Sequence, residues 1–256
     1  NDAYQECDPE KASNVGLNGE PLKPINAGNW KFSKNPKFSN QNTPNLHFHD
    51  MPIEQKFLVE RYGINDVPST GHRELFFDIE CEIGGALTEE YIQRAPMPIT
   101  SIAWWDKKAD EWAIIILDRK NQLKDIKLEN KKVIACSTEK ILLKKFVEIV
   151  RDINPDILIG YNSDYFDVPY LYHRMCNVIG KDWADQLSPV GQVQSKAYTK
   201  YFFRKDQFVK IIGVESLDYM RLHRKYSWKD EPSWKLDAIG EKYTGLNKIE
   251  YDGTLD

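Results

Sequence analysis

The chain has 256 residues, enough for one large domain or two modest ones. With 41% hydrophobic residues, 29% charged residues, 14 Gly and 13 Pro, it is neither collagenous nor low-complexity nor mostly disordered. The net charge of −4 excludes a protein that coats nucleic acid by charge alone, so any such contact has to be local.

Targeting and redox features are sparse. The longest strongly apolar run, residues 112–117, is far shorter than the roughly 20 residues of a membrane helix, and no signal peptide is recognisable. We therefore expect no membrane association and a cytoplasmic location. Four widely spaced cysteines argue against a zinc ribbon or a disulfide scaffold. Because the chain begins with Asn1 instead of Met, we expect a processed product or an internal fragment.

The first 50 residues combine nine Asn and five Pro without a sustained helical or strand period, which predicts turns and short strands. Residues 51–62 form the first predicted helix, with Gly63 as its C-cap. A domain boundary is predicted within residues 63–71. We therefore divide the chain into domains at residues 1–70 and 71–256.

The second domain alternates strands and helices. A helix capped by Ser137 and ending before Pro155 is followed by a strand at residues 156–161 and a second helix starting near residues 166–168. The other predicted elements are strands at 75–77, 99–105 and 112–117, a β-hairpin of 198–203 and 207–212 turning at 204–206, and helices near 216–225 and 233–243. This order predicts an α/β fold, a mixed sheet with flanking helices and an inserted β-hairpin.

Two acidic residues interrupt an apolar strand at residues 74–81. Asp78 and Glu80 alternate with Phe77 and Ile79, in a setting where an uncompensated carboxylate is costly. Because side chains alternate along a strand, both carboxylates project from one face with Cα atoms roughly 6.5 Å apart, so both can reach one divalent cation. Their hard oxygen atoms suit Mg²⁺ or Mn²⁺. The alternative is a strand whose polar face is merely solvated.

A strand, a turn and a helix start follow one another at residues 157–171. Asp167 lies at the predicted helix start, where the helix dipole favours an anion. Ligands of open α/β sheets collect beyond the carboxyl ends of strands, where the Asn162 amide and the Asp167 carboxylate would lie. We therefore expect Asp167 close to Asp78 and Glu80. The alternative is that Asp167 only caps the helix.

Three clustered carboxylates would repel one another at neutral pH. The usual resolution is a pair of divalent cations about 3.5 to 4 Å apart, which activates water and stabilises a leaving oxygen. Phosphodiester hydrolysis is the reaction class that such a site favours.

These residues resemble the exonuclease motifs of family B DNA polymerases. Residues 77–80, Phe-Asp-Ile-Glu, look like the first motif, and residues 160–170, from Gly-Tyr-Asn to Phe-Asp-x-Pro-Tyr, look like the second. Further segments similar to polymerases of T-even-like bacteriophages are residues 217–222, 232–236, 248–253 and, more weakly, 17–24. The resemblance implies an RNase H-like 3′-to-5′ proofreading domain after residue 70, preceded by part of the amino-terminal polymerase domain.

The resemblance also implies roles for single residues. Asp78, Glu80 and Asp167 match the metal ligands of two Mg²⁺ or Mn²⁺ ions, with Asp78 contacting both ions and the others one each. Asn162 and Phe166 are expected to contact the DNA end. The expected substrate is a single-stranded or frayed 3′ end of a primer-template, degraded during DNA replication, in the host cytoplasm if the protein is phage-encoded.

Two parts of the family pattern are not among these residues. The third exonuclease motif, Tyr-x-x-x-Asp, is expected beyond residues 251–253, and the palm and fingers signatures are also missing. The exonuclease domain is thus predicted to be truncated before its third motif. We expect a fragment of a longer polymerase or one product of a split gene, with the rest of the polymerase supplied in cis or as a second subunit.

Positive charge is concentrated in one segment. Between Gln194 and Trp228, eight Lys or Arg residues stand against three acidic ones, and aromatic residues interleave with them. This combination attracts phosphates and offers flat faces on which bases stack. The DNA-contacting residues expected here are Lys200, Arg204, Lys205 and Lys210. The alternative is an ordinary hairpin whose aromatic side lies in the core and whose charges are solvated.

Two other functions stay open at this point. The first is a stand-alone RNase H-like DNA exonuclease, which needs its fourth carboxylate in a short extension. The second is a non-catalytic DNA-binding or scaffold fragment of a split polymerase.

Overall fold

The fold is given by a computed structural model, which describes residues 3–16, 18–25, 46–47, 53–63, 67–82, 84–200, 204–227 and 230–247. The chain divides into two compact units, Asn1–Ser69 and Thr70–Asp256. No helix in the described ranges is long and apolar enough to cross a membrane.

Four short strands form an antiparallel sheet in the smaller unit. The strands are β1 (Ala3–Glu6), β2 (Asn14–Val15), β3 (Pro21–Ile25) and β4 (Leu46–His47), in the order β2-β3-β1-β4. Leu22 on β3 is fully buried. The predicted short strands and turns are confirmed here, while residues 26–45 lie outside the described residues.

The same unit contains helix α1 (Ile53–Tyr62). Gly63 has a φ of 59°, in the left-handed region that favours glycine, and its N–H donates to the carbonyl of Val59 at 2.8 Å. The predicted helix and its C-cap are therefore confirmed. Its apolar residues Phe57 and Tyr62 are both more than half exposed.

The larger unit is built on a seven-stranded mixed sheet with the order β13-β10-β5-β6-β7-β9-β8. Strand β10 runs parallel to its neighbours β5 and β13, and β6 runs antiparallel to β5 and β7. The strands are β5 (Glu74–Cys81), β6 (Ile99–Asp106), β7 (Glu111–Leu117), β8 (Ile126–Lys127), β9 (Lys131–Cys136), β10 (Ile157–Gly160) and β13 (Glu215–Asp218). Strands β11 (Val193–Lys200) and β12 (Arg204–Ile211) form a separate antiparallel hairpin.

Helices follow and cover these strands. They are α2 (Glu89–Arg94), α3 (Glu139–Ile153), α4 (Asp167–Ile179), α5 (Lys181–Ala184), α6 (Tyr219–Tyr226) and α7 (Leu236–Thr244). Helix α3 packs against β6, β7 and β9, and α4 packs against β5. The core side of α3 buries Leu142, Phe146 and Val150, each contributing roughly 1.5–3 kcal/mol through burial. The predicted mixed sheet with flanking helices is therefore confirmed.

Some predicted local boundaries are wrong. Thr138, not Ser137, caps α3, because its hydroxyl accepts the Ile141 amide at 3.3 Å. Arg204 and Lys205 belong to β12 instead of a turn, and the connection at residues 201–203 lies outside the described residues. The helix predicted near residues 216–225 begins only after β13, a strand that forms by parallel pairing with β10.

Candidate active site

Strand β5 presents two carboxylates on one face of the sheet. Asp78 and Glu80 are exposed, and Ile79 between them is buried on the opposite face. Directly across on β6 lie Ala103 and Ser101, whose small side chains leave space beside the carboxylates. The register of β5 with β6 shifts just after Glu80. The strand therefore delivers both carboxylates to the open side of the sheet, as its alternation predicts.

The turn after β10 is closely packed against β5. A Cβ on Gly160 would meet the Cβ of Ser163 at 2.6 Å and the carbonyl oxygen of Phe77 at 3.3 Å, so only glycine fits there. Asn162 then adopts a left-handed φ of 61°, and its carbonyl accepts the Phe166 amide at 3.1 Å. This tight turn reverses the chain into α4, whose first residue is the predicted Asp167.

Asp167 reaches back to β5. Its side chain is nearly buried, and its Oδ1 accepts the backbone N–H of Ile79 at 3.3 Å. Strand β10 pairs with β5 only as far as Phe76, so beyond that point a carboxylate instead of a strand can meet this amide. The Asp167 carboxylate is thereby fixed at the backbone residue that separates Asp78 from Glu80.

The electrostatics of this arrangement are unfavourable for a charged Asp167. Burial, reinforced by the negative charge of Asp78 and more weakly by that of Asp218, raises the Asp167 pKa from 3.8 to about 7. The hydrogen bond from the Ile79 amide acts in the opposite direction. A buried acid next to a second acid is the environment in which a nearby cation would be most strongly attracted.

Comparison with known proteins assigns the chain to a family. A sequence model described as "DNA polymerase family B, exonuclease domain" matches residues 34–239. The chain belongs to this family.

Relatives of this exonuclease family carry polymerase names. The chain is 33% identical over 117 residues to the DNA-directed DNA polymerase of Escherichia phage RB69, and 30% identical over 118 residues to that of Enterobacteria phage T4. Each alignment covers 46% of this chain and 13% of the phage protein. The DNA polymerase of Thermococcus aggregans is 32% identical over 210 residues, 79% of this chain and 10% of that polymerase. The chain thus spans a small part of the length of these relatives.

The donor set is compatible with the divalent cations expected of a metal-dependent exonuclease family. Carboxylate oxygens are hard ligands that suit Mg²⁺ and Mn²⁺, and a cation would relieve the repulsion between Asp78 and Asp167. Within the described ranges, no three His, Cys, Asp or Glu side chains are grouped so that they could already hold one metal ion. Assignment of Asp78, Glu80 and Asp167 as the ligands therefore stays a prediction.

The two residues expected to contact the DNA end lie in the turn. Asn162 is half-buried, and its backbone N–H donates to Asp218 Oδ1 at 2.9 Å. Phe166 is half-buried, with its ring stacked on Tyr170 at a centroid distance of 5.5 Å. The Tyr170 hydroxyl in turn donates to the carbonyl of Met97 at 2.8 Å. The segment that carries both side chains is therefore held by hydrogen bonds and by ring stacking.

The four basic residues expected to contact DNA belong to the hairpin of β11 and β12. Lys210 is exposed and lines a cavity of about 360 Å³ together with Asp164 and Arg221. Lys200 pairs with Arg204 in the hairpin register, and the side chains of Lys200, Arg204 and Lys205 lie outside the described part of the chain. Contact of these four residues with DNA stays a prediction.

An aromatic surface accompanies Asp78 on the open face of the sheet. Phe76 and Trp105 have ring centroids 5.0 Å apart, and Trp105 stacks on Trp112 at 5.0 Å with an interplanar angle of 11°. These rings and Asp78 line a largely apolar cavity of about 650 Å³. This surface was not predicted from the sequence, because it joins residues of three strands.

Asp218 and Arg221 were also missed as contributors to the site. Asp218 accepts hydrogen bonds from the turn after β10, and Arg221 is paired with Asp164 in that turn. The local signals were an Asp near a helix start, which is typical of an N-cap, and the similarity of residues 217–222 to phage polymerases, which assigned no role to either side chain. The connection of Asp218 with the turn depends on the pairing of β13 with β10, which local pattern does not reveal.

Proposed function

We propose that this chain is the proofreading 3′-to-5′ exonuclease region of a family B DNA polymerase, with an RNase H-like fold. The observation that carries the proposal is the Asp167 carboxylate, held on β5 between Asp78 and Glu80. Membership in the exonuclease family supports the same reaction class. The reaction is hydrolysis of the terminal phosphodiester at a DNA 3′ end.

The three carboxylates would hold two Mg²⁺ or Mn²⁺ ions. Such ions supply activation of water and stabilisation of the leaving oxygen. The family resemblance matches Asp78 to the ligand that contacts both ions. Asp78 is exposed, and its charge raises the Asp167 pKa more than that of Asp218 does. Asp167 contributes a carboxylate whose position is fixed by the Ile79 amide, and it releases its proton when a cation binds. The fourth carboxylate of the family pattern would come from the third motif, which is expected beyond residues 251–253.

The DNA strand would approach the open face of the sheet. Asn162 and Phe166, which lie just before Asp167 in the chain, would position the terminal nucleotide. The basic hairpin of β11 and β12 would contact the strand through Lys200, Arg204, Lys205 and Lys210. Because the relatives are named DNA polymerases, we propose that the whole protein also extends primers, with the polymerase part supplied in the same chain or as a second subunit.

The proposal is tested by replacing Asp78 or Asp167 with Ala in the full-length protein. The assay measures Mn²⁺-dependent release of nucleotides from a labelled single-stranded 3′ tail. Because each residue is a proposed metal ligand, we expect a loss beyond the roughly 10–100-fold typical of residues that only support a ligand. Retained degradation in both variants would refute the assignment.

Glu74→Gln is the matched control. Glu74 lies on the same strand and the same face as Asp78, but it is paired with Lys107 at 2.8 Å. This variant should degrade the 3′ tail like the wild type. Mn²⁺ titration by calorimetry separates a nuclease from a DNA-holding scaffold, which should bind no Mn²⁺ through Asp78 or Asp167. Loss of degradation with unchanged primer extension would show that the variants are folded.

A further inference from the structure

Asp218 lies at the junction of β13 and α6 and is not among the proposed metal ligands. We propose that Asp218 is a positioning residue, which holds the turn that delivers Asn162 and Asp167 to the exonuclease site. This inference rests on the proposed function and deepens it. It assigns to Asp218 a role beyond that of an N-cap.

The Asp218 carboxylate joins two elements that are distant in sequence. Its side chain is almost fully buried, at 3% exposure. Oδ1 accepts the N–H groups of Met220 at 2.9 Å and Arg221 at 3.3 Å, which caps α6. Oδ1 also accepts the Asn162 N–H at 2.9 Å, and Oδ2 accepts the Asp164 N–H at 3.3 Å. An N-cap needs only the first pair of bonds, so the second pair serves the turn.

A second connection fixes the same turn to the same junction. The buried Asp164 carboxylate accepts the hydroxyl of Ser216 at 2.5 Å and pairs with the guanidinium of Arg221. The turn is thus held to β13 through Asp164 and Ser216, and to α6 through Arg221. Both connections meet at the junction that Asp218 occupies.

The geometry of the turn explains why this matters for the site. Asn162 has a left-handed φ of 61°, a conformation that is uncommon for non-glycine residues but that Asn tolerates better than most. Its amide is held by Asp218, and Asp167 begins α4 only five residues later in the chain. Freeing the turn would shift the Asp167 carboxylate relative to β5. Misplacement of a catalytic group by about 1 Å can cost on the order of 100-fold in rate.

Two substitutions separate the positioning role from simple helix capping. Asp218→Ser retains one oxygen, which is enough to cap α6 but leaves no acceptor for the turn. Asp218→Asn retains Oδ1 and therefore the bonds from Asn162, Met220 and Arg221, and loses only the bond from Asp164. Thr138→Ala is the matched control, because the Thr138 hydroxyl caps a different helix, α3, by accepting the Ile141 amide.

The experiment uses the full-length protein, with Mn²⁺ and a short single-stranded oligonucleotide as the substrate. Steady-state kinetics give kcat and KM for 3′-nucleotide release, and hydrogen exchange followed by mass spectrometry reports on residues 161–167. We expect Asp218→Ser to lower kcat at least about tenfold with KM changed by less than roughly threefold, and to speed exchange in the turn. Asp218→Asn should recover most of kcat, and Thr138→Ala should change neither readout.

The outcomes are distinct. A kcat for Asp218→Ser within roughly twofold of the wild type would overturn the positioning role and leave the exonuclease function standing. A kcat for Asp218→Asn as low as that of Asp218→Ser, with unchanged exchange in the turn, would also overturn it. If the wild type and Asp78→Ala release nucleotides at the same rate in this assay, the proposed function fails and the positioning inference fails with it.

Discussion

Two buried carboxylates of the larger unit have opposite surroundings. Glu231 is almost fully buried and accepts hydrogen bonds from Lys242 at 2.6 Å and the Tyr243 hydroxyl at 2.7 Å, with His223 Nε2 at 3.4 Å. These donors, Lys242 first, lower the Glu231 pKa to about 2. The Asp167 carboxylate instead faces burial and other acids, which raise its pKa to about 7.

The difference separates a structural carboxylate from one that we propose to be a metal ligand. The chain supplies its own cation and hydroxyl to Glu231, which joins the loop before α7 to the helices α6 and α7. At Asp167 the chain adds the negative charges of Asp78 and Asp218, which two backbone hydrogen bonds, one of them from the Ile79 amide, oppose. Unfavourable arrangements of this kind are concentrated at functional sites, and we propose that cations from solution neutralise this one.

The largest effect is expected from Asp167→Asn, which keeps an acceptor for the Ile79 amide but removes the charge. Since the folded-state pKa of Asp167 is raised, its ionisation opposes folding, and stability is lost as pH rises from about 3.8 to about 7. At roughly 1.4 kcal/mol per pKa unit, this difference is worth roughly 4 kcal/mol. The variant should therefore be inactive as an exonuclease, yet more stable than the wild type at pH 8 in EDTA.

Denaturant unfolding of the full-length protein between pH 5 and pH 8 measures this effect. The stability advantage of Asp167→Asn should shrink as the pH falls toward 4, and added Mn²⁺ should stabilise only the wild type. Glu74→Gln, on the same strand as Asp78, should show neither behaviour. A variant that is less stable than the wild type at pH 8 without divalent cations would contradict the raised pKa.

The next effect is expected from Gly160→Ala, which acts on the backbone that positions Asp167. The new Cβ would lie 2.6 Å from the Cβ of Ser163 and 3.3 Å from the Phe77 carbonyl, so the turn must move away from β5. We expect a loss of roughly 1–3 kcal/mol in stability. Displacement of the turn should also lower the exonuclease rate by on the order of tenfold or more.

A second substitution tests whether the contact with Ser163 is the cause. Ser163→Gly removes the Cβ that the alanine would meet, and its hydroxyl has no hydrogen-bond partner in the described structure. Adding Ser163→Gly to Gly160→Ala should therefore restore a large part of the activity. Equal activity losses in the single and double variants would place the cause elsewhere.

The sequence predicted parts of the site that depend on local pattern. Alternation along β5 placed Asp78 and Glu80 on one face, and the helix start predicted near residues 166–168 agrees with the first residue of α4, Asp167. The meeting of Asp167 with Ile79 required the rule that ligands collect beyond the carboxyl ends of strands, since the two residues are 88 positions apart.

Other features could not be predicted because they arise from distant pairing. Strand β13 has only four residues and exists because β10 pairs with it, so its sequence was assigned to a helix. The role of Asp218 follows from that pairing. In the hairpin, Lys200 pairs with Arg204. The pairing of the two long strands therefore includes residues 204–206, whose polar side chains had suggested a turn.

A smaller effect is expected from competition between protons and cations at Asp167. Below about pH 7 the carboxyl carries a proton that a cation has to displace, whereas the Glu231 carboxylate is already ionised. The Mn²⁺ concentration for half-maximal exonuclease rate should therefore rise about tenfold for each unit of pH below about 7, and level off above it. A titration at constant ionic strength with saturating DNA measures this, and a flat dependence from pH 5.5 to pH 7 would contradict it.

The smallest effect on the exonuclease is expected from Glu231→Gln. This substitution removes the charge that pairs with Lys242, and the hydrogen-bond partners of Glu231 belong to α6 and α7 instead of β5. Because the Glu231 pKa is lowered, its charge stabilises the folded state above about pH 4.5, and this contribution is lost as the pH falls toward about 2. The variant should therefore be less stable than the wild type at pH 7, by a margin that decreases in acid.

Exonuclease kcat of Glu231→Gln at a temperature well below unfolding should stay within roughly twofold of the wild type. Thermal unfolding at pH 7 and pH 4, measured beside the kinetics, reports the stability change. Lys242→Met removes the other partner and should reproduce the lower stability at pH 7. If Glu231→Gln instead lowered kcat as strongly as Gly160→Ala, the division into a structural carboxylate, Glu231, and a functional one, Asp167, would be wrong. The loop before α7 would then act on the site through the hydrogen bond from the Tyr161 hydroxyl to the Trp234 carbonyl.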